Sequence, residues 1–311
     1  MKTTGANRLP HHEVPSQKEM TNNLRQLMGK SYAELLKRLG DNTASTKRTW
    51  NTLASNSDHP IFREIAHGLG QVTMDGVQGD VGDVCTFLYP LRYLVNGGKT
   101  YEFSPLIMSD IERVVDKTLP AHDFHLPEDG STIYLHYPIS NRFVVTPYER
   151  KPLAGIYINT VTDSTFHQET RQHLGYSSEG VGVEILCISE GSAEEELDSD
   201  YLQYEFFIPK ETDKSLYDLT REQTLLYMDK GLIRNGGESA EAYFDIVYPL
   251  IQLIYLSLRQ MASGDYAVTW YPLGQERDAL VRRYAHNKAK QRKIKEQHQY
   301  AFDRFIVDFK K

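Results

Sequence analysis

The stretch LPEDGSTIYLHYPISNRFVV, residues 126–145, marks the point at which the sequence changes from a helical to a strand-like pattern. From residue 18 to residue 117, apolar residues recur mostly at intervals of three and four, which is typical of amphipathic helices. From residue 132 onwards, short runs rich in β-branched and aromatic residues alternate with turn residues. These runs lie at 132–137, 142–147, 153–161, 181–188 and 201–208. Because no strong helical pattern separates them, they predict a mostly antiparallel sheet.

Helical patterns return after the predicted sheet. SLYDLTREQTLLYMDKG (215–231) begins with a helix-capping serine. AYFDIVYPLIQLIYLSL (242–258) is the most apolar stretch of the chain and, at this length, predicts a buried helix. Two late strands, YAVTWYP (266–272) and RFIVDF (304–309), bracket a basic helix. The predicted fold class is α+β, with N-terminal helices, a central mostly antiparallel sheet, and C-terminal helices that include a long buried helix and a basic helix.

Four segments follow from this pattern. We expect a disordered tail at 1–17, a helical region at 18–125, an antiparallel sheet with core helices at 126–272, and a basic helix with a final strand at 273–311. The N-terminus lacks the apolar run of a signal peptide, and the longest apolar segment is too short and too polar for a bilayer span. Cys85 and Cys187 lie in apolar stretches, so we expect buried free thiols, a cytoplasmic location and no membrane partner.

Local motifs for catalysis were sought without success. The sequence has no phosphate-binding GxxxxGK[ST] loop, no GxSxG nucleophile turn and no kinase motif set. His122 and His125, with Asp123 between them, have a spacing that suits two metal ligands, but no HExxH motif or cysteine pair accompanies them. A structural or exposed role is therefore the favoured interpretation for both histidines. We expect no catalytic residue, no metal and no cofactor.

The sequence is also rich in tyrosine, with 20 residues. Several alternate within the predicted strands, as Tyr134 and Tyr137 do, and as Tyr201 and Tyr204 do. Half-buried sheet positions explain this pattern, and a platform on which nucleobases stack is the alternative.

A basic run near the C-terminus stands out in a chain of net charge -7. Between Arg277 and Gln297, eight Lys and Arg oppose two acidic residues, which gives a local charge of +6. Leu280, Tyr284 and Ile294 form only a narrow apolar stripe in this run. The candidate residues for binding nucleic acid or another partner are Arg282, Arg283, Lys288, Lys290, Arg292, Lys293 and Lys295.

Three explanations of the basic run remain open. It is a solvated, solubilising helix face, a contact with the phosphates of nucleic acid, or a segment that docks on the acidic 189–200 loop of the same chain.

The order of segments resembles a family of phage- and plasmid-borne anti-CRISPR proteins. LPEDGSTIYLHYPISNRFVV, LAGIYINTV, FFIPKETDKSLYDL and AYFDIVYPLIQLIYLSLRQM carry the likeness, which spans residues 85–262 and is followed by a cationic C-terminus. The family is the second-described inhibitor of the type V-A RNA-guided effector nuclease, with its homologues. HQY (298–300) stands where the family has a His-Trp-His core, so no individual functional residue is transferred.

The resemblance implies an inhibitor of CRISPR immunity that acts by binding in the host bacterial cytoplasm. Its partner would be a host protein, the CRISPR effector or its nascent chain, and inhibition would lower the activity or the production of that effector. The basic helix would then contact RNA or the ribosome. A metal-dependent RNA-processing enzyme or nuclease of a mobile element is the alternative function, and an accessory phage protein is a third.

Overall fold

The computed structural model describes residues 99–114, 116–125, 132–145, 151–161, 179–189, 201–230, 239–297 and 304–310, together with the isolated residues 93, 172 and 175. The expected tail at 1–17, most of the expected N-terminal helices, Cys85 and the acidic stretch 190–200 lie outside these residues.

Seven strands and five helices make up the described fold. The strands are β1 (Lys99–Phe103), β2 (Thr132–Val144), β3 (Pro152–Val161), β4 (Gly180–Ser189), β5 (Tyr201–Pro209), β6 (Tyr266–Tyr271) and β7 (Arg304–Phe309). The helices are α1 (Pro105–Ile111), α2 (Leu216–Asp229), α3 (Ala240–Ser263), α4 (Leu273–Arg283) and α5 (Lys288–Gln297), with a 3-10 turn at Ala121–Asp123. The α+β class predicted from the sequence is confirmed. None of these helices is long and apolar enough to cross a membrane.

All seven strands form one mixed sheet in the order β5-β4-β3-β2-β1-β7-β6. The pairs β2–β3, β3–β4, β4–β5 and β6–β7 are antiparallel. The two pairs that β1 forms, with β2 and with β7, are parallel. The prediction of a mostly antiparallel sheet is therefore confirmed. The sheet takes strands from each of the three segments 18–125, 126–272 and 273–311.

Two details of the strand prediction were wrong. The helical region 18–125 contains a strand, β1, whose buried Thr100 and Phe103 lie on opposite faces. Five residues are too few for a periodic signal, and the position of β1 depends on partners far along the chain. The two strands predicted at 132–137 and 142–147 are one long strand, β2, whose pairing with β3 becomes irregular after His136.

Helix α1 is shorter than the helical pattern predicted. Ser104 caps it as expected, but it ends at Ile111 although the apolar periodicity continues to Leu119. Two side chains of α3 explain the early end. The Tyr248 hydroxyl donates to the Asp116 carbonyl at 2.8 Å, and Gln252 Nε2 donates to the Val114 carbonyl at 3.4 Å. The contact of Gln252 replaces the bond that the Val114 carbonyl would make with the Thr118 N–H in a longer helix, and the contact of Tyr248 satisfies the Asp116 carbonyl, whose helical partner Pro120 has no N–H.

The main core lies between one face of the sheet and α3. Fourteen residues of this 24-residue helix are buried, which confirms the predicted long buried helix. Ser239 caps its N-terminus, and Gly264 ends it with a left-handed φ of 75°, a conformation that glycine adopts without strain. α2 packs beside α3, and α3 contacts β2 in the middle of the sheet and β6 at its edge.

The second face of the sheet carries its own buried cluster. Tyr93, Tyr134, Tyr157, Leu186 and Ile188 pack together there. Tyr134 lies over Gly155, where an added Cβ would stand 2.0 Å from the tyrosine oxygen. The absence of a side chain at residue 155 is thus what admits the aromatic ring.

Candidate macromolecule-binding surface

The two edge strands of the sheet, β5 and β6, differ in the contacts that cover them. At the β5 edge, Gln223 of α2 places its side-chain amide against the backbone of Phe207: the Phe207 N–H donates to Gln223 Oε1 at 2.9 Å, and Gln223 Nε2 donates to the Phe207 carbonyl at 2.6 Å. A glutamine amide thus takes the place of a neighbouring strand at this residue. Because both groups are buried, the contact closes the β5 edge there.

The β6 edge has no such cover among the described residues. Val268, Trp270 and Tyr271 keep 42%, 47% and 51% of their surface exposed. The strand YAVTWY also lacks the charged residues and prolines with which proteins commonly protect a free edge. β6 is therefore an edge strand among the described strands, and it presents apolar side chains to a partner.

The segment that follows β6 is a pair of helices, which we call the helical hairpin (residues 273–297). The sequence predicted one basic helix here, and this was wrong: the chain turns at residues 284–287 between α4 and α5. Asn287 explains the break, because its side chain accepts from the Lys290 N–H at 3.0 Å and so caps a new helix. The Asn287 N–H donates to the Tyr284 carbonyl at 2.9 Å, which closes the turn.

Few contacts hold the two helices of the hairpin together. Gln291 Nε2 donates to the Val281 carbonyl at 3.0 Å, and the ammonium of Lys290 lies 3.8 Å from the centre of the Tyr284 ring. Ile294 is buried, while Leu280 and Tyr284 are half-buried, as the narrow apolar stripe predicted. Most of the hairpin surface therefore faces solvent.

The cations of the hairpin are on that solvent-facing surface. Arg282, Arg283, Lys288, Lys290, Arg292 and Lys293 are exposed, and Lys295 lies in α5 with a side chain outside the described set. Within the described part of the chain, Arg282, Arg283, Lys288 and Lys293 form no ion pair, whereas Arg277 pairs with Asp278 at 2.9 Å. The structure thus gathers the predicted cations on one small element and leaves several of them without a neutralising carboxylate.

The position of these charges relative to the helix dipole differs between α4 and α5. Arg282 and Arg283 lie in the last turn of α4, where the helix dipole stabilises positive charge. Lys288 and Lys290 instead lie in the first turn of α5, which contains no acidic residue. Because positive charge opposes the dipole at that end, these two lysines do not serve the stability of α5.

A cavity of about 170 Å³ lies between α1, α2, β2 and α3, on the core-helix side of the sheet. Tyr217, Phe244 and Tyr248 form an aromatic cluster in its wall, with ring centres 4.9 to 5.6 Å apart. Exposed Lys117 lies 4.6 Å from the centre of the Tyr217 ring. Burial, followed by the nearby charges of Asp116, Tyr217 and Asp218, raises the pKa of Tyr248 to about 12. The wall is thus mainly apolar, and Tyr248 stays neutral at physiological pH.

The histidine pair considered as a metal site has ordinary contacts. His122 Nε2 lies 3.4 Å from Asp123 Oδ1, and His125 Nδ1 is hydrogen-bonded to the Asp123 carbonyl at 2.7 Å. Arg259 of α3 also pairs with Asp123 at 3.4 Å. Among the residues that the structure describes, no three of His, Cys, Asp and Glu come together as a metal would require.

Burial settles two further expectations. Tyr134, Tyr137 and Tyr204 are buried in the sheet, so none of them presents a ring to a nucleobase. Cys187 is a free, buried thiol, as expected, and burial raises its pKa. Among the described residues, the exposed aromatic residues are Trp270 and Tyr271 of β6 and Phe309 of β7. The sequence predicted both strands, but the exposure of the β6 pair depends on β6 being at the sheet edge, which local pattern does not reveal.

The chain was compared with known proteins at the level of sequence. No protein-family model and no curated protein matches it.

Proposed function

We propose that this protein is an anti-CRISPR inhibitor that binds a type V RNA-guided effector nuclease, or its nascent chain, and lowers its activity or production. The resemblance of residues 85–262 to that inhibitor family supports the proposal. Those residues supply β1–β5, α2 and most of α3, so the likeness concerns the framework of the fold. The partner-binding residues must be argued from the structure itself.

The observation that carries the proposal is the open β6 edge with exposed Val268, Trp270 and Tyr271. An extended polypeptide segment that adds to such an edge gains backbone hydrogen bonds along the strand and side-chain contacts at alternate positions. A nascent or flexible part of an effector supplies such a segment without prior unfolding. The closed β5 edge lacks this capacity at Phe207, which leaves β6 as the edge for strand addition.

A plasmid-interference assay tests the function. Bacteria that carry a type V-A effector and a guide against a plasmid are transformed with that plasmid, with and without the inhibitor. We expect the inhibitor to restore transformants and to lower the amount of tagged effector or its activity in lysate. A type II effector with its own guide is the specificity control.

Two results would contradict the proposal. Plasmid clearance that is unchanged by the inhibitor excludes inhibition of this effector. Metal-dependent cleavage of labelled RNA by the purified protein alone would favour the alternative, an RNA-processing enzyme.

A further inference from the structure

We propose that the helical hairpin binds single-stranded nucleic acid, with its exposed cations on successive phosphates and Tyr271 at its base stacked on a nucleobase. This inference does not depend on the identity of the effector, because the cations of the hairpin take no part in strand addition to β6. Tyr271 is the residue that the two surfaces share. It concerns a backbone chemistry that RNA and DNA share.

Charge is the first argument. The stretch from Arg277 to Gln297 carries +6 in a chain of -7, so the rest of the chain carries -13. A polyanion is therefore repelled by most of the protein and attracted to the hairpin. The six exposed cations are distributed over two short helices, which the turn at residues 284–287 joins and the hydrogen bond from Gln291 to the Val281 carbonyl holds together. This arrangement suits a chain of phosphates better than a single small anion.

The aromatic residue is the second argument. Tyr271 is 51% exposed and is followed, after Pro272, by the first residue of α4. Base stacking on exposed aromatic rings is how proteins hold single strands without sequence preference. Tyr284 is less available for base stacking, since the ammonium of Lys290 lies 3.8 Å from the centre of its ring. Trp270 projects to the opposite face of the strand from Tyr271 and so serves as an internal control.

The salt dependence gives a quantitative test. For single-stranded nucleic acid, the logarithm of the affinity falls with the logarithm of the salt concentration, with a slope of about 0.7 per phosphate contact. Six contacts would therefore lower the affinity up to about 340-fold between 50 and 200 mM salt. If four contacts are removed, the fall over the same range becomes about 7-fold. The loss of slope, more than the loss of affinity, identifies contacts with phosphate.

The experiment uses the full chain and a fluorescent 20-nucleotide oligouridylate in anisotropy titrations at several salt concentrations. The test variant is Arg282→Gln, Arg283→Gln, Lys288→Gln and Lys293→Gln together, all exposed and in helices. The matched control removes four exposed cations elsewhere: Arg113→Gln, Lys210→Gln, Arg221→Gln and Lys230→Gln. Both variants change the net charge equally. We expect the affinity of the test variant to depend less steeply on salt concentration than that of the wild type, and the control variant to keep the wild-type salt dependence.

Further arms separate the components of the proposal. Tyr271→Leu should lower the affinity about 10-fold and leave the slope of the salt dependence unchanged. Trp270→Leu should change the affinity little. Arg282→Lys with Arg283→Lys keeps the charge and should keep the slope. Oligothymidylate in place of oligouridylate distinguishes DNA from RNA, and a double-stranded competitor should compete poorly because its bases are not free to stack.

Several outcomes would overturn the inference. They are equal slopes for the test and control variants, equal binding of double strands, a Tyr271 variant that binds like the wild type, or competition by polyglutamate as strong as that by RNA. The last result would assign the hairpin to acidic proteins. Melting curves of each variant show whether a loss comes from unfolding. Since the assay contains no effector, its failure leaves the proposed function intact.

Discussion

The contact between Gln223 and Phe207 leads to a strong prediction about stability and about the sheet edge. Gln223→Ala removes the side-chain amide that pairs with the Phe207 N–H and carbonyl, and both residues are buried. It also removes the acceptor, 3.3 Å away, of the Tyr227 hydroxyl. We expect lower stability and a β5 edge that is open to pairing between molecules.

The magnitude follows from the two backbone groups. A buried polar group left without a partner costs about 1–3 kcal/mol. Water reaches an opened edge in part, so we expect the free energy of unfolding to fall by about 2–4 kcal/mol for the two groups together. A lower urea midpoint with an unchanged slope measures this loss, and light scattering measures association through the opened edge.

Gln223→Glu refines the test through its pH dependence. The introduced carboxylate accepts from the Phe207 N–H but repels the Phe207 carbonyl, whereas the protonated carboxyl both accepts and donates as glutamine does. Burial and the facing carbonyl raise the folded-state pKa of the introduced group above the ordinary value of about 4.3. Protonation therefore restores stability as pH falls, and the deficit relative to wild type returns as pH rises through the folded-state pKa. A pH-independent deficit, or a Gln223→Ala variant as stable as wild type, would refute the reasoning.

Two further predictions concern the core. Gly155→Ala places a Cβ 2.0 Å from the Tyr134 oxygen, so the free energy of unfolding should fall by about 1–3 kcal/mol. Combining it with Tyr134→Leu should remove much of that penalty. Additive effects of the two substitutions would contradict the contact. The pKa of Tyr248 is raised to about 12, so the folded state loses stability as pH rises from the ordinary tyrosine pKa of about 10 towards 12. Urea titrations with Tyr248→Phe should show a smaller alkaline loss, and an equal loss would exclude this tyrosine.

Sequence pattern was most informative where the local signal was long. The strands β3, β4 and β5 and the helices α2 and α3 lie within a few residues of the predicted positions, because alternation and capping residues fix them locally. β1 was missed because its place between β2 and β7 is decided by pairings with residues 133–136 and 304–307. The early end of α1 likewise depends on Tyr248 and Gln252, far along the chain.

The candidate surface was predicted in composition but not in shape. The cations at 282–295 are evident in the sequence, and so is the narrow apolar stripe that leaves them exposed. Asn287 as a helix cap inside the run is a local signal that predicts the turn, although the run was interpreted as one helix. The exposure of Val268, Trp270 and Tyr271 was not predictable, since it accompanies the position of β6 at the end of the strand order.

Direct capture of the effector tests the central claim, that this protein works by docking its β6 edge on another polypeptide. The immobilised protein is incubated with lysate that contains a tagged type V-A effector, and bound effector is quantified. Val268→Lys introduces the kind of charge that protects free edges, and Leu106→Lys places the same charge at a residue that is 68% exposed on α1. We predict equal capture by the wild type and Leu106→Lys, and at least about 10-fold less by Val268→Lys. Undiminished capture by Val268→Lys, or none by the wild type, would contradict the account.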